Sequence, residues 1–155
     1  MTGNTPGSAT DDTRLALERL IPSSPEDLFE LWTERAGLVR WWAPEGYQCS
    51  VDCLEARPGG RWRTLMRKPG SPPLAISGLY RVVDRPRRLV FTWAWEGDDG
   101  ERGHETEVRV TFEAVPGGTR LALVQQSFEN IPTRERHRFG WSSCFDRLAA
   151  LHAKA

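Results

Sequence analysis

Residues 105–127 read ETEVRVTFEAVPGGTRLALVQQS, and this stretch decides the fold. Apolar and polar residues alternate in its first half, which predicts a β-strand over 105–114. The apolar side chains of that strand's buried face are Val108, Val110 and Phe112. A Pro-Gly-Gly turn signal then leads into a second alternating segment over 119–127, with Leu121 and Leu123 inward. The stretch therefore predicts an antiparallel hairpin with one apolar face.

The same period of two recurs upstream of the hairpin. It predicts further strands over 14–20, 47–54, 61–67, 74–83 and 89–95. The large side chains expected on the inward faces of these strands are Trp62, Met66, Tyr80, Trp93 and Trp95. About six of the strands follow one another with short connections, which is typical of an antiparallel sheet.

Three helical segments complete the pattern. Ser24 and Pro25, followed by two acidic residues, form an N-cap signal for a helix that we expect to end at Gly37. A short helix is predicted over 38–42 and a long one over 133–154. The apolar stripe of the long helix carries Trp141, Phe145 and Leu148. An apolar sheet face needs a cover, so we predict an α+β fold in which a curved antiparallel sheet grips this C-terminal helix.

The composition fits one globular domain. Hydrophobic residues make up 39% and charged residues 27% of 155, which excludes a wholly disordered chain. No run of about 18 apolar residues occurs, so no membrane span is expected. Equal numbers of basic and acidic residues, 21 each, give no electrostatic reason to expect nucleic acid. We expect a disordered tail over 1–12 without a signal peptide, a single domain over 13–155 and a cytoplasmic location.

Cysteine and histidine are too few and too scattered to predict a metal site or a disulfide framework. Cys49 and Cys53 lie four residues apart on a predicted strand, which is about 13 Å at ~3.3 Å per residue. That separation is too long for a disulfide or for a shared zinc ion. With Cys144 the count is odd, so reduced and buried thiols are expected. We expect no cofactor.

The order of elements and several local motifs resemble a known family. The motifs are RWWAP at 40–44, EARPGGRW at 55–62, GLYRVVDRPRRLVFTW at 78–93, GTRLAL at 118–123 and GW at 140–141. Together they span about residues 14–152 and are similar to helix-grip proteins of the SRPBCC, or START-like, superfamily. Within it they most resemble bacterial proteins similar to the C-terminal domain of the activator of Hsp90 ATPase.

The resemblance implies a deep cavity between the sheet and the long helix, suited to a small apolar or aromatic molecule. Seven tryptophans in so small a domain agree with an aromatic cavity wall, and the alternative is a plain aromatic core. Trp41 and Trp42 either gate the cavity mouth or fill a packed corner. The candidate ligand-binding residues are Trp42, Trp62, Met66, Tyr80, Trp93, Trp95, His104, Thr106, Gln125, His137, Trp141 and Phe145.

The polar candidates leave more than one function open. His104 and Thr106 continue the inward face of the strand at 105–114, His137 lies on the stripe of the long helix, and Gln125 stands where many relatives carry a histidine. A small-molecule binding or carrier domain is the main hypothesis, with no catalytic residue assigned. The first alternative is a cyclase- or dehydratase-type enzyme in which His104, Thr106 or Gln125 handles a proton.

A third hypothesis is an interaction domain resembling an Hsp90 co-chaperone. The chain leaves no room for the activator's separate N-terminal domain, so bipartite clamping of the chaperone is not expected. Two arginine clusters, at 81–88 and 134–138, favour solvated surface over an anionic partner. The sequence does not distinguish a monomer from a homodimer.

Overall fold

The computed structural model describes residues 13–44, 46–97 and 99–153. Seven strands are present: β1 (Arg14–Ile21), β2 (Gln48–Leu54), β3 (Arg61–Arg67), β4 (Leu74–Asp84), β5 (Arg88–Glu96), β6 (Thr106–Val115) and β7 (Gly118–Gln126). Three helices accompany them: α1 (Pro25–Thr33), α2 (Arg35–Leu38) and α3 (Ile131–Ala153). The predicted tail over 1–12, Asp98 of the Gly-Asp-Asp-Gly turn signal at 97–100 and Lys154 lie outside the described residues.

The strands form one antiparallel sheet in the order β1-β7-β6-β5-β4-β3-β2. Each strand from β2 to β7 pairs with its neighbour along the chain, and β1 pairs with β7. The α1–α2 segment carries the chain from one sheet edge to the other, because β1 and β2 are the two edge strands. The apolar face of the curved, unclosed sheet packs on α3, which confirms the predicted α+β helix-grip fold.

The first helix begins as the sequence predicts. The Ser24 side chain accepts a hydrogen bond from the Asp27 backbone N–H at 3.1 Å, and Pro25 occupies the first helical position. The predicted end at Gly37 is wrong, because the chain leaves α1 at Glu34 in an extended conformation. Gly37 instead lies within α2, where a Cβ atom would come within 2.9 Å of the Leu31 Cα. That glycine therefore permits close packing of two helices. The second helix was predicted too late, because α2 ends at Leu38, the first residue of the predicted range of 38–42.

Aromatic side chains join the helices to one another in the core. Trp32 of α1 lies nearly parallel to Trp141 of α3, with ring centroids 6.1 Å apart. Phe112 of β6 meets Trp32 edge to face at 5.9 Å, which ties the sheet to the same cluster. Among the described residues, no helix has the length and apolar character needed to cross a membrane.

Candidate ligand cavity

A cavity of about 320 Å³ lies between the sheet and the first half of α3. Its lining comes from β3, β4, β5, the segment after α2, the segment just before α3 and the first half of α3. The lining residues are Trp42, Ala43, Pro44, Met66, Ile76, Trp93, Trp95, Glu129, Thr133, Arg136, His137, Gly140, Trp141 and Cys144. Four tryptophans therefore surround one space, and polar groups are concentrated at the end formed by residues 129–137.

Half of the predicted candidates lie at this cavity. They are Trp42, Met66, Trp93, Trp95, His137 and Trp141. Trp95 remains 38% exposed, which places it at the cavity mouth and not in the core, whereas Trp93 beside it is buried. The rings of these two tryptophans meet edge to face with centroids 4.8 Å apart.

Three aromatic candidates lie in the core and do not line the cavity. Trp62 packs edge to face on Trp42 at 5.6 Å, and Phe145 packs on Trp141 at 6.1 Å. Tyr80 is buried against Phe91 at 5.9 Å. Trp62 and Phe145 therefore support residues of the cavity wall from the side away from the empty space.

The inward orientation predicted for His104 is wrong. Strand β6 begins only at Thr106, so the alternation of that strand does not extend to residue 104. His104 is exposed, and its Nε2 atom makes a short contact with the Ser127 carbonyl oxygen. Ser127 has a positive φ of 77°. His104 therefore connects the two strand ends outside the cavity.

Gln125 and Thr106 are buried, but they form a hydrogen-bonded chain that supports the wall without lining the cavity. The Trp141 Nε1–H donates to Gln125 Oε1 at 2.8 Å, and Gln125 Nε2 donates to Thr106 Oγ1 at 2.7 Å. The Thr106 hydroxyl donates in turn to the Trp93 carbonyl at 3.2 Å. Gln125 is 0% exposed, so this chain satisfies its amide inside the core and fixes the Trp141 ring.

The sequence left open whether Trp41 and Trp42 gate the cavity mouth or fill a packed corner, and the structure places the two residues differently. Trp41 is fully buried and donates its indole N–H to the Leu31 carbonyl at 2.9 Å, which makes it part of a packed corner. Trp42 lines the cavity, and its indole N–H donates to Thr64 Oγ1 at 3.0 Å. The next residue, Ala43, has φ 150° and is held by Arg147, whose Nη1 donates to the Ala43 carbonyl at 2.7 Å. This side of the cavity is therefore fixed by hydrogen bonds.

The structure adds lining residues from α3 that the sequence reading missed. Thr133, Arg136, Gly140 and Cys144 follow one another at spacings of three or four, and so lie on one helix face. A signal was present, because the same spacing connects them to His137 and Trp141. It was hidden by composition, since the face mixes a glycine and polar residues with apolar ones.

The His137 imidazole lies among three aromatic side chains. Its ring lies 4.5 Å from Trp93, 4.9 Å from Phe128 and 6.2 Å from Trp95, centroid to centroid. Burial, with a smaller contribution from the positive charge of Arg136, lowers the pKa of His137 to about 4. The imidazole is therefore neutral near pH 7, with one N–H donor and one acceptor nitrogen.

The three cysteines differ in burial. Cys144 is buried in the cavity wall, whereas Cys49 and Cys53 are half-buried, and all three are free thiols. Burial raises the pKa of Cys144 to about 12, so the thiolate is negligible near neutral pH. In the described part of the chain, no group of three histidine, cysteine, aspartate or glutamate side chains is placed to hold a metal ion.

Replacing the enclosed histidine should change the acid sensitivity of the fold. An unfolded histidine has a pKa near 6.5, so the unfolded state takes up the proton first as pH falls. His137 therefore favours unfolding progressively between about pH 6.5 and pH 4, by about 3 kcal/mol in total. We expect His137→Phe to lose less stability than the wild type over this interval, measured as the difference between two urea-unfolding series. Parallel curves for the two proteins would contradict the assignment.

Comparisons with known proteins point to one family. The family model described as Activator of Hsp90 ATPase homolog 1-like protein matches residues 22–153. No curated protein matches the chain significantly. The AHSA1 protein from Silicibacter pomeroyi is 34% identical, with a TM-score of 0.82 over 90% of this chain and 97% of that one.

Two more distant solved structures share the fold. A protein from Chromobacterium violaceum is 22% identical, with a TM-score of 0.83 over 92% of this chain and 99% of that one. An AHSA1-like protein from Aeromonas hydrophila is also 22% identical, with a TM-score of 0.71 over 89% of this chain and 93% of that one. At this identity the likeness concerns the fold alone.

Proposed function

The chain belongs to the activator of Hsp90 ATPase homolog 1-like family, and from that premise we propose that it is a small-molecule binding or carrier protein for an apolar or aromatic ligand. The observation that carries the proposal is the cavity of about 320 Å³ among four tryptophans. Its volume lies at the lower end of the range of known ligand pockets, about 300–1,000 Å³, which suits a compact ligand. The ligand would contact Trp42, Met66, Trp93, Trp95, His137 and Trp141.

A glycine at the centre of the helical wall supports the proposal. Gly140 lies three or four residues from His137, Arg136 and Cys144, so its Cα faces the same space as their side chains. A Cβ atom added at Gly140 would meet no heavy atom within 4 Å. Glycine inside a helix costs about 1 kcal/mol relative to alanine. A glycine at this position, in spite of that cost, is expected if the empty space beside it accommodates a ligand.

Filling this position should separate folding from binding. We expect Gly140→Ala to stabilise the protein by about 0.5–1 kcal/mol, because the helix gains propensity without a clash. Gly140→Leu should fold but bind the neutral aromatic probe 2-naphthamide at least about tenfold more weakly, as judged by calorimetric titration. The matched control places the same leucine at Ala150, an exposed position of α3 outside the cavity. Equal binding by the wild type and Gly140→Leu would overturn the proposal.

The ionisation of the cavity groups supports binding over catalysis. A general acid or base works best when its pKa lies near the working pH. The enclosed His137 has a pKa of about 4 and Cys144 one of about 12, so neither is poised near neutrality. Thr106 and Gln125, two of the three residues that the enzyme hypothesis offers, do not line the cavity and are engaged with each other and with the Trp141 indole N–H.

A second candidate function is interaction with an Hsp90-type chaperone. The description of the matched family favours it, and Phe139 on α3 is 75% exposed, as a residue used in a protein contact would be. The test is the ATPase rate of the cognate chaperone with and without this protein. An unchanged rate at saturating concentrations would exclude this function without affecting the ligand proposal.

A further inference from the structure

The polar end of the cavity carries an arginine that is tethered there. Arg136 and Thr133 both line the cavity. The Arg136 Nη2 donates a hydrogen bond to Thr133 Oγ1 at 3.1 Å. The guanidinium is exposed, so it keeps its other donors for solvent or a ligand. Arg136 therefore presents a positive charge where the aromatic space meets solvent.

The neighbouring arginines are already paired. Glu135 accepts from Arg134 Nε at 2.9 Å and from Arg138 Nε at 3.3 Å, and these cations hold the pKa of the Glu135 carboxyl below its usual range. Arg136 has no carboxylate within 4.0 Å among the described residues. Arg136, which lines the cavity, is thus the arginine of the 134–138 cluster that does not pair with Glu135.

The positive charge of Arg136 also acts on the enclosed imidazole of His137. Arg136 contributes to lowering the pKa of His137, after burial. Neither ring nitrogen of His137 hydrogen-bonds to any of the described residues. The neutral ring can therefore donate one N–H to a ligand acceptor beside Arg136.

We propose that the cavity selects an organic carboxylate, with its aromatic body among the tryptophans and its carboxylate at the mouth on Arg136 and the His137 N–H. This inference rests on the proposed function. Arginine matches a carboxylate with parallel donors, and such charged hydrogen bonds are stronger than neutral ones. The competing occupant is an organic cation, which the indole faces and Glu129 would attract. Glu129 is exposed and has no hydrogen bond to the described residues that would fix it at the mouth.

Three probes with one ring system distinguish the possibilities. They are 2-naphthoate, neutral 2-naphthamide and the 2-naphthylmethylammonium cation, titrated calorimetrically into the whole protein. We expect naphthoate to bind about fivefold more tightly than the amide, with the cation weakest. The preference should shrink as salt screens the exposed guanidinium.

Two variants assign the preference to its residue. Arg136→Gln should abolish the advantage of naphthoate while leaving amide binding unchanged, and Glu129→Gln should increase that advantage. Arg138→Gln is the matched control, since Arg138 is paired with Glu135 and does not line the cavity. Equal affinities for all three probes in the wild type, or tightest binding of the cation, would overturn the carboxylate assignment and leave the ligand cavity standing. Failure of all three probes to bind would overturn both proposals.

Discussion

Replacing Gln125 with glutamate should destabilise the protein by about 3 kcal/mol near pH 8 and far less near pH 4. Gln125 is 0% exposed and links Trp141 to Thr106 through its two amide atoms. A protonated carboxyl group reproduces that pattern, because it can accept from the indole and donate to the hydroxyl. A carboxylate cannot donate and also brings a buried charge, so the folded state should hold the proton and raise the pKa of the new group.

The sign of the pH dependence follows from that raised pKa. An unfolded glutamate loses its proton near pH 4.3, whereas the folded variant keeps it to higher pH. The stability difference from the wild type is therefore smallest below about pH 4 and grows as pH rises. Urea unfolding of Gln125→Glu and the wild type at several pH values measures this difference directly.

The neighbouring residue provides the control for this experiment. Gln126 lies on the opposite face of β7, half-buried, where its Nε2 donates to Glu107 Oε1 at 3.1 Å. Arg81 and Arg109 also lie within 4.0 Å of that carboxylate, so Gln126→Glu enters a solvated network of charges. We expect it to change stability by less than about 1 kcal/mol at any pH. A similar loss in both variants would show that the buried chain around Gln125 is not the cause.

The fold could be predicted from the sequence because the patterns that specify its strands, turns and helices are local. The alternation around Val108 and Leu121, the turn at 116–118 and the cap at Ser24 each specify an element without reference to the rest of the chain. Gly37 misled the helix boundary because its role is tertiary. It allows α2 to approach Leu31, and the sequence cannot distinguish such a glycine from a helix terminator.

Only part of the cavity lining could be predicted from the sequence, because the boundary of an empty space depends on how far each side chain extends into it. Period two correctly placed Trp62 and Trp93 on inward faces, but only Trp93 borders the cavity while Trp62 fills the core behind Trp42. Gln125 and Thr106 are buried, in agreement with their predicted inward orientation, yet they bond to each other and do not line the cavity. Pairings of this kind join residues of different strands, and a single sequence does not reveal them.

Gly78 of β4 is where two chain segments and an indole ring meet. The residue pairs with Trp62 of β3. The Trp62 Nε1–H reaches over it to donate to the Thr92 carbonyl of β5 at 3.2 Å. The Thr92 hydroxyl accepts from the Leu79 backbone N–H at 2.9 Å, so the ladder between β4 and β5 is completed here by a side chain. Only a residue without a side chain leaves room for this crossing.

We therefore expect Gly78→Ala to destabilise the protein by about 3 kcal/mol or more, the upper end of the cost of overpacking. A Cβ atom at this position would lie 1.8 Å from the Thr92 carbonyl oxygen and 2.6 Å from Trp62 Nε1. Relief requires β4 to move away from the Thr92 carbonyl and the Trp62 indole to shift as well, which leaves that buried carbonyl without its donor. The loss is measured by urea unfolding, and displacement of Trp62 by a change in near-ultraviolet circular dichroism.

The decisive comparison is with the same substitution in the cavity wall. Gly78→Ala and Gly140→Ala add one methyl group each, so their hydrophobic and unfolded-state effects are similar. They differ in what the methyl group meets, which is backbone at the first position and open space at the second. Opposite signs of the two stability changes would support both the crossing at Gly78 and the empty space at Gly140. A mild effect at Gly78 would mean that β4 and β5 can separate at this point and that Trp62 can shift at little cost, and it would contradict the tight crossing at this residue.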